Sequence, residues 1–319
     1  MPGVRQVQVI AHRGASGYLP EHTLPSKAMA YAMGADYLEQ DLVLTNDDVP
    51  IVLHDIHLDT VTDVATQFPD RKRDDGRYYA IDFSIAEIKQ LRAGERFDQK
   101  SGKAVFPNRF PVGHGSFQIP TLVEEIELVQ GLNQSTGRSV GIYPELKQPE
   151  FHHKAGKDLA SIVLNILKDY AYSKRHDHIC LQCFDEQELQ RVRQELKSDL
   201  TLIQLLSAAD WMSQSELANE RRQHLDNIAH YANGIGPNVN GVFRQDPLGG
   251  LPIATDLVAA AHERKLVIHP WTYRADDLPP LFDSFADLHR ATVLAGIDGL
   301  FSDFPDQSVE LLTTFAESP

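Results

Sequence analysis

The sequence is poor in cysteine, and its two cysteines do not look reactive. Among 319 residues they are Cys180 and Cys183, in the run I-C-L-Q-C-F. The run is apolar and typical of a strand, in which positions i and i+3 point to opposite faces. We therefore expect two packed thiols rather than a redox or metal-binding C-x-x-C pair. So few cysteines carry no information about the redox compartment.

Long apolar runs and positive charge are also scarce. No apolar run approaches the roughly 18 residues of a membrane-spanning helix. Residues 1–6 contain no apolar core of a signal peptide, so we expect no signal peptide in this chain. Lysine and arginine number 30 against 45 aspartate and glutamate residues, which gives a net charge of −15. This charge argues against nucleic acid and anionic membranes as partners, and an anionic substrate would need a locally positive site.

The order of apolar segments predicts an α/β fold. Predicted strands occupy residues 7–11, 37–44 with an extension at 51–54, 140–146, 178–184, 200–205, 234–237, 266–271 and 299–302. Predicted helices occupy residues 22–33, 121–133, 152–170, 186–196, 221–231, 254–264, 285–295 and 307–315. Eight alternating strands and helices favour a parallel sheet closed as a (β/α)₈ TIM barrel. An open doubly wound sheet is the alternative, weakened because no G-x-G-x-x-G follows the first strand.

We expect residues 1–319 to form a single domain with one insertion. Residues 56–120 are charged, contain proline and show little periodicity. More than 60 residues without a clear strand are too many for a bare loop, so they predict a small insertion subdomain after strand two. Active sites of barrels lie at the carboxyl ends of the strands. An insertion there would cover the site and would select substrates.

The second strand carries two acidic residues within an apolar segment. Glu39 and Asp41 are two residues apart, so they share one face, with their Cα atoms about 6.6 Å apart. Two carboxylates at this spacing repel each other unless a cation lies between them, and oxygen ligands favour Ca²⁺ or Mg²⁺. A solvated acidic turn is the alternative, but the neighbouring Leu38 and Leu42 disfavour it.

More polar residues stand at the ends of other predicted strands. They are His12, Arg13, His54, Glu145, Lys147, Gln182, His269, Trp271 and Asp303. Glu145 would be a third carboxylate ligand, and Arg13 and Lys147 suit the oxygens of a phosphate. His12 and His54 suit proton transfer at a phosphodiester, because both adjoin the acidic strand.

These residues belong to motifs that resemble those of the glycerophosphodiester phosphodiesterases. The motifs are H12-R-G-A-S, Glu21, E39-x-D41 and H54-D. The likeness to the periplasmic bacterial type extends through G17-Y-L-P-E-H-T-L-P, A35-D-Y-L-E-Q-D-L, D82-F, G141-I-Y-P-E-L-K, L181-Q-C-F-D and G299-L-F-S-D-F-P-D. It covers essentially the whole chain. One departure is His22, where many relatives have asparagine.

The resemblance implies a metal-dependent barrel enzyme. Its substrates would be glycerophosphodiesters such as glycerophosphocholine and glycerophosphoethanolamine, cleaved to glycerol 3-phosphate and an alcohol. The implied roles are acid–base catalysis for His12 and His54, metal binding for Glu39, Asp41 and Glu145, and phosphate contact for Arg13 and Lys147. Gln182 and Trp271 are further candidates for substrate binding. The implied metal is Ca²⁺, with Mg²⁺ as the alternative.

The resemblance also implies a periplasmic location, although residues 1–6 do not decide between periplasm and cytoplasm. The expected partner is the small-molecule substrate, with no nucleic acid and no membrane insertion. The oligomeric state stays open, a homodimer being one option.

Two other functions fit parts of the pattern. A phospholipase of the phosphatidylinositol-specific C or the D type would use similar chemistry on intact lipid, but it needs an exposed apolar surface for membrane approach. The sequence shows no basic amphipathic helix of that kind, and a net charge of −15 opposes anionic bilayers. A non-catalytic binding protein on this scaffold is the second alternative. It would be expected to lack some of the polar residues at the strand ends, and all of them are present.

Overall fold

Eight parallel strands form a nearly closed barrel in the computed structural model, which describes residues 7–207 and 219–317. The strands of these residues are β1 Gln8–Ala11, β2 Tyr37–Leu44, β3 Pro50–Val52, β4 Gly141–Leu146, β5 Cys180–Cys183, β6 Thr201–Leu206, β7 Gly234–Pro237, β8 Phe243–Arg244, β9 Ile253–Ala254, β10 Val267–Ile268 and β11 Gly299–Ser302. The barrel order is β10-β7-β6-β5-β4-β2-β1-β11. Residues 1–6, on which the expectation about a signal peptide depends, lie outside the described residues.

Backbone hydrogen bonds join the two end strands of this order. The Phe301 N–H donates to the Pro270 carbonyl at 3.0 Å, and the Tyr273 N–H donates to the Phe301 carbonyl at 2.8 Å. Tyr273 also pairs in parallel with Ser302. These contacts close the sheet, so the predicted TIM barrel is confirmed and the open doubly wound alternative is wrong.

Helices surround the barrel and cover its outer apolar face. In the described ranges they are α1 Leu24–Ala32, α2 Val64–Gln67, α3 Ile85–Ile88, α4 Leu122–Thr136, α5 Pro149–Lys154, α6 Leu159–Asp169, α7 Glu186–Gln194, α8 Asn219–Ile228, α9 Asp256–Glu263, α10 Phe285–Ala295 and α11 Pro305–Glu317. Local sequence sets their ends. In α4 a capping box joins Thr121 and Glu124, and Gly137 ends the helix with a φ of +74°. None of the described helices has the length and apolarity needed to cross a bilayer.

Two predicted elements differ from the structure. The helix expected over residues 152–170 is two helices, because Gly156 adopts a φ of +76° and Asp158 caps the second helix by accepting from the Ser161 N–H. The segment expected to extend strand two is the separate strand β3, which runs antiparallel to the end of β2. A turn that includes Asp48, at a φ of +61°, reverses the chain between them.

Alternation along β2 separates two layers of side chains. Leu38, Leu42 and Leu44 pack outward among the helices. Tyr37 points inward, into an interior layer with Ile10, Tyr143, Cys180, Ile203 and Phe301. Cys180 therefore lies inside the barrel while Cys183 packs in the outer layer, and both are buried free thiols, as predicted.

Residues 56–120 pack largely among themselves beside the barrel. They contain α2, α3 and two short 3₁₀ turns, Pro69–Arg71 and Ala80–Asp82. Isolated pairings such as that between Thr62 and Ala93 hold the segment together. Its apolar side chains form a second cluster that includes Leu58, Val64, Phe83, Ile88 and Leu91.

Candidate active site

Three carboxylates meet inside the carboxyl end of the barrel. The register of β2 and β4 places Asp41 beside Glu145, and Glu145 in turn lies beside Gln182 of β5. Glu39 lies two residues before Asp41 and so shares its inward face. One oxygen from each of Glu39, Asp41 and Glu145 lies within 4.8 Å of the others, and all three residues are buried. The structure thus brings together the three predicted metal ligands.

The electrostatics of this cluster favour a cation. Burial, with Asp41 and Glu145 nearby, raises the pKa of Glu39 well above its usual range. Burial likewise raises the pKa of Glu145 to about 8. Burial opposes ionisation of Asp41 as well, but Lys147 and His22 hold its pKa well below the usual range. Among the described residues, Asp41 Oδ1 has no hydrogen-bond partner. Buried carboxylate oxygens with unused acceptor capacity suit a hard divalent cation.

His12 lies beside the carboxylates and is held by Asp303. Its Nδ1 is 2.6 Å from Asp303 Oδ1, and its Nε2 is 3.9 Å from Glu39 Oε2. Burial lowers the pKa of His12 to about 4, so the ring is neutral near pH 7. With the Nδ1 proton donated to Asp303, Nε2 is the free base that faces the carboxylates.

His54 lines the same cleft as the three carboxylates. The hairpin of β2 and β3 brings it there, because the Leu53 N–H donates to the Asp41 carbonyl at 2.8 Å. His54 Nδ1 is 2.7 Å from Asp55 Oδ1. Burial, followed by the charges of Arg13 and Lys147, lowers the pKa of His54. The two predicted catalytic histidines therefore share one arrangement, in which a carboxylate anchors Nδ1.

The loop after β1 places Arg13 against the carboxylates. Arg13 has a φ of +60° and is followed by Gly14 at +90°. In this left-handed conformation the Arg13 N–H donates to Glu39 Oε2 at 2.8 Å. Its Nη1 donates to Glu21 Oε2 at 2.9 Å, while its buried Nε has no hydrogen-bond partner in the described parts of the chain. That Nε lies 3.6 Å from Asp41 Oδ2, so the guanidinium forms an ion pair with the cluster and adds positive charge beside it.

His22, for which the sequence suggests no role, belongs to the same network. It also has a φ of +60°, and its N–H donates to the Arg13 carbonyl at 2.9 Å. Its Nε2 lies 2.7 Å from Asp41 Oδ2. Since burial lowers the pKa of His22 to about 3, the neutral ring donates to the carboxylate and orients it.

A cleft of about 530 Å³ opens above these groups. Its lining residues are His12, Arg13, Glu39, Asp41, His54, Glu145, Lys147, Gln182, Phe184, Leu205, Trp271, Thr272, Arg274 and Phe301. Lys147 Nζ lies 2.7 Å from Glu145 Oε1, and Gln182 Nε2 donates to Glu39 Oε1 at 3.0 Å. All nine predicted site residues therefore line one cleft. His269 does not line it, and instead hydrogen-bonds to Tyr143 in the barrel interior at 2.8 Å.

Several residues of the site were not predicted from the sequence. Phe184 is 42% exposed and stands at right angles to Trp271, with ring centroids 5.7 Å apart, so the two rings form an aromatic wall. Arg274 adds a third cation to the cleft. Asp55 could have been found as the second letter of the H54-D motif. Phe184 and Arg274 follow strands but have no spacing signal of their own.

This barrel and this site define a hydrolase of an anionic substrate. Two anchored imidazoles are able to move protons. Arg13, Lys147 and Arg274 supply positive charge, and the three carboxylates can hold a cation. The whole chain carries a net charge of −15, so three basic side chains in one cleft indicate a site that attracts an anion.

Comparisons with known proteins agree with that class. The glycerophosphoryl diester phosphodiesterase family matches residues 12–307. Glycerophosphodiester phosphodiesterases of Haemophilus influenzae and Treponema pallidum are 44% and 36% identical to this chain, and each match covers 95% of it and 89% or 91% of the relative. The chain belongs to this family and is a phosphodiesterase of glycerophosphodiesters.

Solved structures show the same fold. A protein of Silicibacter pomeroyi superposes with a TM-score of 0.72 at 25% identity, over 99% of this chain and 95% of its own. A phosphodiesterase of Oleispira antarctica, solved in complex with the product sn-glycerol 3-phosphate, superposes with a TM-score of 0.65 at 21% identity, over 97% of both chains.

Proposed function

We propose that this enzyme hydrolyses small glycerophosphodiesters, such as glycerophosphocholine and glycerophosphoethanolamine, to glycerol 3-phosphate and an alcohol with the help of a divalent cation. The observation that carries the proposal is the cluster of three buried carboxylates within 4.8 Å, flanked by two imidazoles that are each anchored to a further carboxylate. The product bound to the Oleispira antarctica phosphodiesterase supports the same substrate class.

Glu39, Asp41 and Glu145 would hold the cation, with Ca²⁺ preferred and Mg²⁺ as the alternative. Oxygen donors alone select hard cations, and a site of side-chain carboxylates suits the flexible coordination of Ca²⁺. When bound, the cation would neutralise charge on the phosphoryl oxygens in the transition state. The raised pKa values of Glu39 and Glu145 follow from burial and from the crowding of like charges. A positive charge among them removes this repulsion.

His12 and His54 would move the protons. One imidazole takes the proton from the attacking hydroxyl, and the other gives a proton to the alcohol oxygen as its bond to phosphorus breaks. We propose that the glycerol hydroxyl of the substrate attacks first, and that water then opens the resulting cyclic phosphate. Each proton transfer contributes about 10²–10⁴ in rate. Asp303 and Asp55 accept from the Nδ1 of each ring, so Nε2 is the atom that exchanges the proton. It is unprotonated on the imidazole that takes a proton and protonated on the imidazole that gives one.

Arg13 and Lys147 would contact the phosphate oxygens. Both are basic side chains that line the cleft. Gln182 and Trp271 would contact the rest of the substrate, with Phe184 completing the apolar side. We further propose that residues 1–319 act as one phosphodiesterase domain, with residues 56–120 as its insertion subdomain. The periplasmic location stays a prediction.

The experiment measures release of glycerol 3-phosphate from glycerophosphocholine by the purified protein. We expect activity that a chelator removes and that added Ca²⁺ or Mg²⁺ restores. His12→Ala and His54→Ala should be inactive but folded, whereas His176→Ala, at a histidine whose side chain is 80% exposed, should match the wild type.

Phospholipid vesicles serve as the competing substrate in the same assay. Cleavage of vesicle lipid without cleavage of glycerophosphocholine would contradict the proposed substrate class. Full activity after metal removal would contradict the role of Glu39, Asp41 and Glu145.

A further inference from the structure

Two arginines from residues 56–120 reach the carboxylates that anchor the two histidines. Arg96 Nη1 donates to Asp55 Oδ2 at 2.6 Å. Arg109 Nη2 donates to Asp303 Oδ2 at 2.7 Å. The segment therefore contributes one guanidinium to each of the two histidine–carboxylate pairs.

The two aspartates, Asp55 and Asp303, use their carboxylate oxygens in the same way. In each aspartate, Oδ1 faces the Nδ1 of its histidine, and Oδ2 accepts from an arginine of the segment. A carboxylate held at both oxygens cannot rotate freely. The direction of its bond to the imidazole is therefore set in part by the arginine.

Both arginines are themselves fixed by other contacts. Arg109 has a side chain only 4% exposed, pairs through two nitrogens with Asp276 at 2.8 and 2.9 Å, and lies 3.7 Å from the centre of the Phe106 ring. Arg96 pairs through two nitrogens with Glu21 at 2.6 and 3.1 Å. Bidentate pairs of this kind impose geometry, unlike an exposed single ion pair.

We propose that Arg96 and Arg109 are positioning residues for catalysis, which orient the His54–Asp55 and His12–Asp303 pairs from the segment at residues 56–120. This inference rests on the proposed acid–base roles of His12 and His54. The segment then completes the catalytic groups in addition to lying beside the cleft. An arginine that only docked the segment on the barrel would have no need to share the carboxylate of a histidine.

The two pairs do not depend equally on their arginines. Asp303 Oδ2 also accepts from Arg274 Nε at 2.8 Å, and Arg274 lies outside the segment. For Asp55, Arg96 is the one arginine partner in the described parts of the chain, with Thr60 as a longer contact at 3.4 Å. Loss of Arg96 should therefore disturb its pair more than loss of Arg109.

The first test compares Arg96→Met, Arg109→Met and Arg73→Met on glycerophosphocholine at saturating Ca²⁺. Arg73 is a matched control, because it forms a bidentate pair with Asp82 in the same segment at 2.7 Å without facing a histidine. We expect kcat to fall about 10- to 100-fold for Arg96→Met, as for a misplaced catalytic group, and less for Arg109→Met. KM should change little for Arg109→Met. It should rise modestly for Arg96→Met, because Glu21 pairs with both Arg96 and Arg13, the proposed phosphate contact. Arg73→Met should match the wild type.

The second test is a double-mutant cycle on kcat with Asp55→Asn. If Arg96 acts through Asp55, Arg96→Met should add little to the loss already caused by Asp55→Asn. Full additivity, or wild-type kcat in Arg96→Met, would overturn the proposal. If Arg96→Met does not fold, Arg96→Lys replaces it in the same cycle. A folded Arg96→Lys enzyme would likewise overturn the proposal if its kcat equalled that of the wild type and if the substitution left the effect of Asp55→Asn on kcat unchanged. Inactive His12→Ala and His54→Ala enzymes beside an unaffected Arg96→Met would refute this inference alone, whereas active histidine variants would refute the proposed function.

Discussion

The two histidine–carboxylate pairs have the same chemistry but are built differently. His12 and Asp303 are 291 residues apart and meet because β1 and β11 are neighbours, with the His12 N–H donating to the Ser302 carbonyl at 3.0 Å. His54 and Asp55 are adjacent in sequence and follow the hairpin of β2 and β3. The His12 side chain is 10% exposed and that of His54 is 30% exposed.

This difference shows how one site combines a buried half with an accessible half. The barrel holds the first pair from both of its strands, and both side chains are largely buried. The second pair lies at the mouth of the cleft, where Arg96 gives its carboxylate support from a segment outside the barrel strands. A base at the mouth can exchange protons with solvent, whereas a buried base depends on its fixed partners.

The largest expected effect is loss of turnover in His12→Ala and His54→Ala, by about 10²–10⁴ in kcat each.

Added imidazole should distinguish the two histidine–carboxylate pairs by how accessible each position is to solvent. It should restore part of the activity of His54→Ala, whose position is open to solvent, and much less of His12→Ala. Initial rates at increasing imidazole concentration provide the measurement. Stronger rescue of His12→Ala would show that the contrast in access is wrong.

A smaller effect is expected on stability when the anchoring carboxylates are neutralised. Asp303→Asn removes a buried carboxylate from Arg109 and Arg274, while Arg109 keeps its pair with Asp276, so we expect a loss of about 1.5–3 kcal/mol, as for hydrogen bonds to charged groups. Asp55→Asn removes a partly exposed carboxylate and should cost about 1 kcal/mol or less. Urea unfolding of the metal-free variants measures both values. Equal losses of unfolding free energy in Asp303→Asn and Asp55→Asn would mean that the difference in burial does not determine how much each carboxylate stabilises the fold.

The smallest effect concerns the dependence of stability on pH. Burial lowers the pKa of His12 from 6.5 to about 4, so the unfolded chain binds this proton more readily than the folded protein. Stability from the neutral ring is thus present above pH 6.5 and is lost as the pH falls towards 4. His12→Asn should flatten the slope in this window.

His54→Asn is the matched variant for that measurement. Its ring is more exposed, so its removal should alter the slope less than removal of His12. Unfolding of chelator-treated protein at several pH values between 4 and 6.5 tests the order. A steeper slope in His12→Asn than in the wild type would contradict the expected sign.

The sequence alone determined the alternation of strands and helices and the faces on which key residues lie. The spacing of Glu39 and Asp41 indicated a shared inward face, and the position of Glu145 at the end of a strand indicated a third ligand. The shared location of the three carboxylates is confirmed, because the direction of a side chain along a strand depends on local backbone geometry. Their role as metal ligands stays a prediction. The break between α5 and α6 was missed, since it depends on the conformation that Gly156 adopts.

Only the tertiary structure decided which distant residues share the site. Arg96 and Arg109 lie in a segment with little periodicity, and nothing in their neighbourhood signals that they pair with Asp55 and Asp303. Phe184, at the end of β5, likewise meets Trp271, which follows β10, although β6 and β7 lie between these strands in the sheet. Such contacts arise from closure of the barrel and from packing of the segment at residues 56–120 against it. They depend on long-range geometry, which local sequence patterns do not encode.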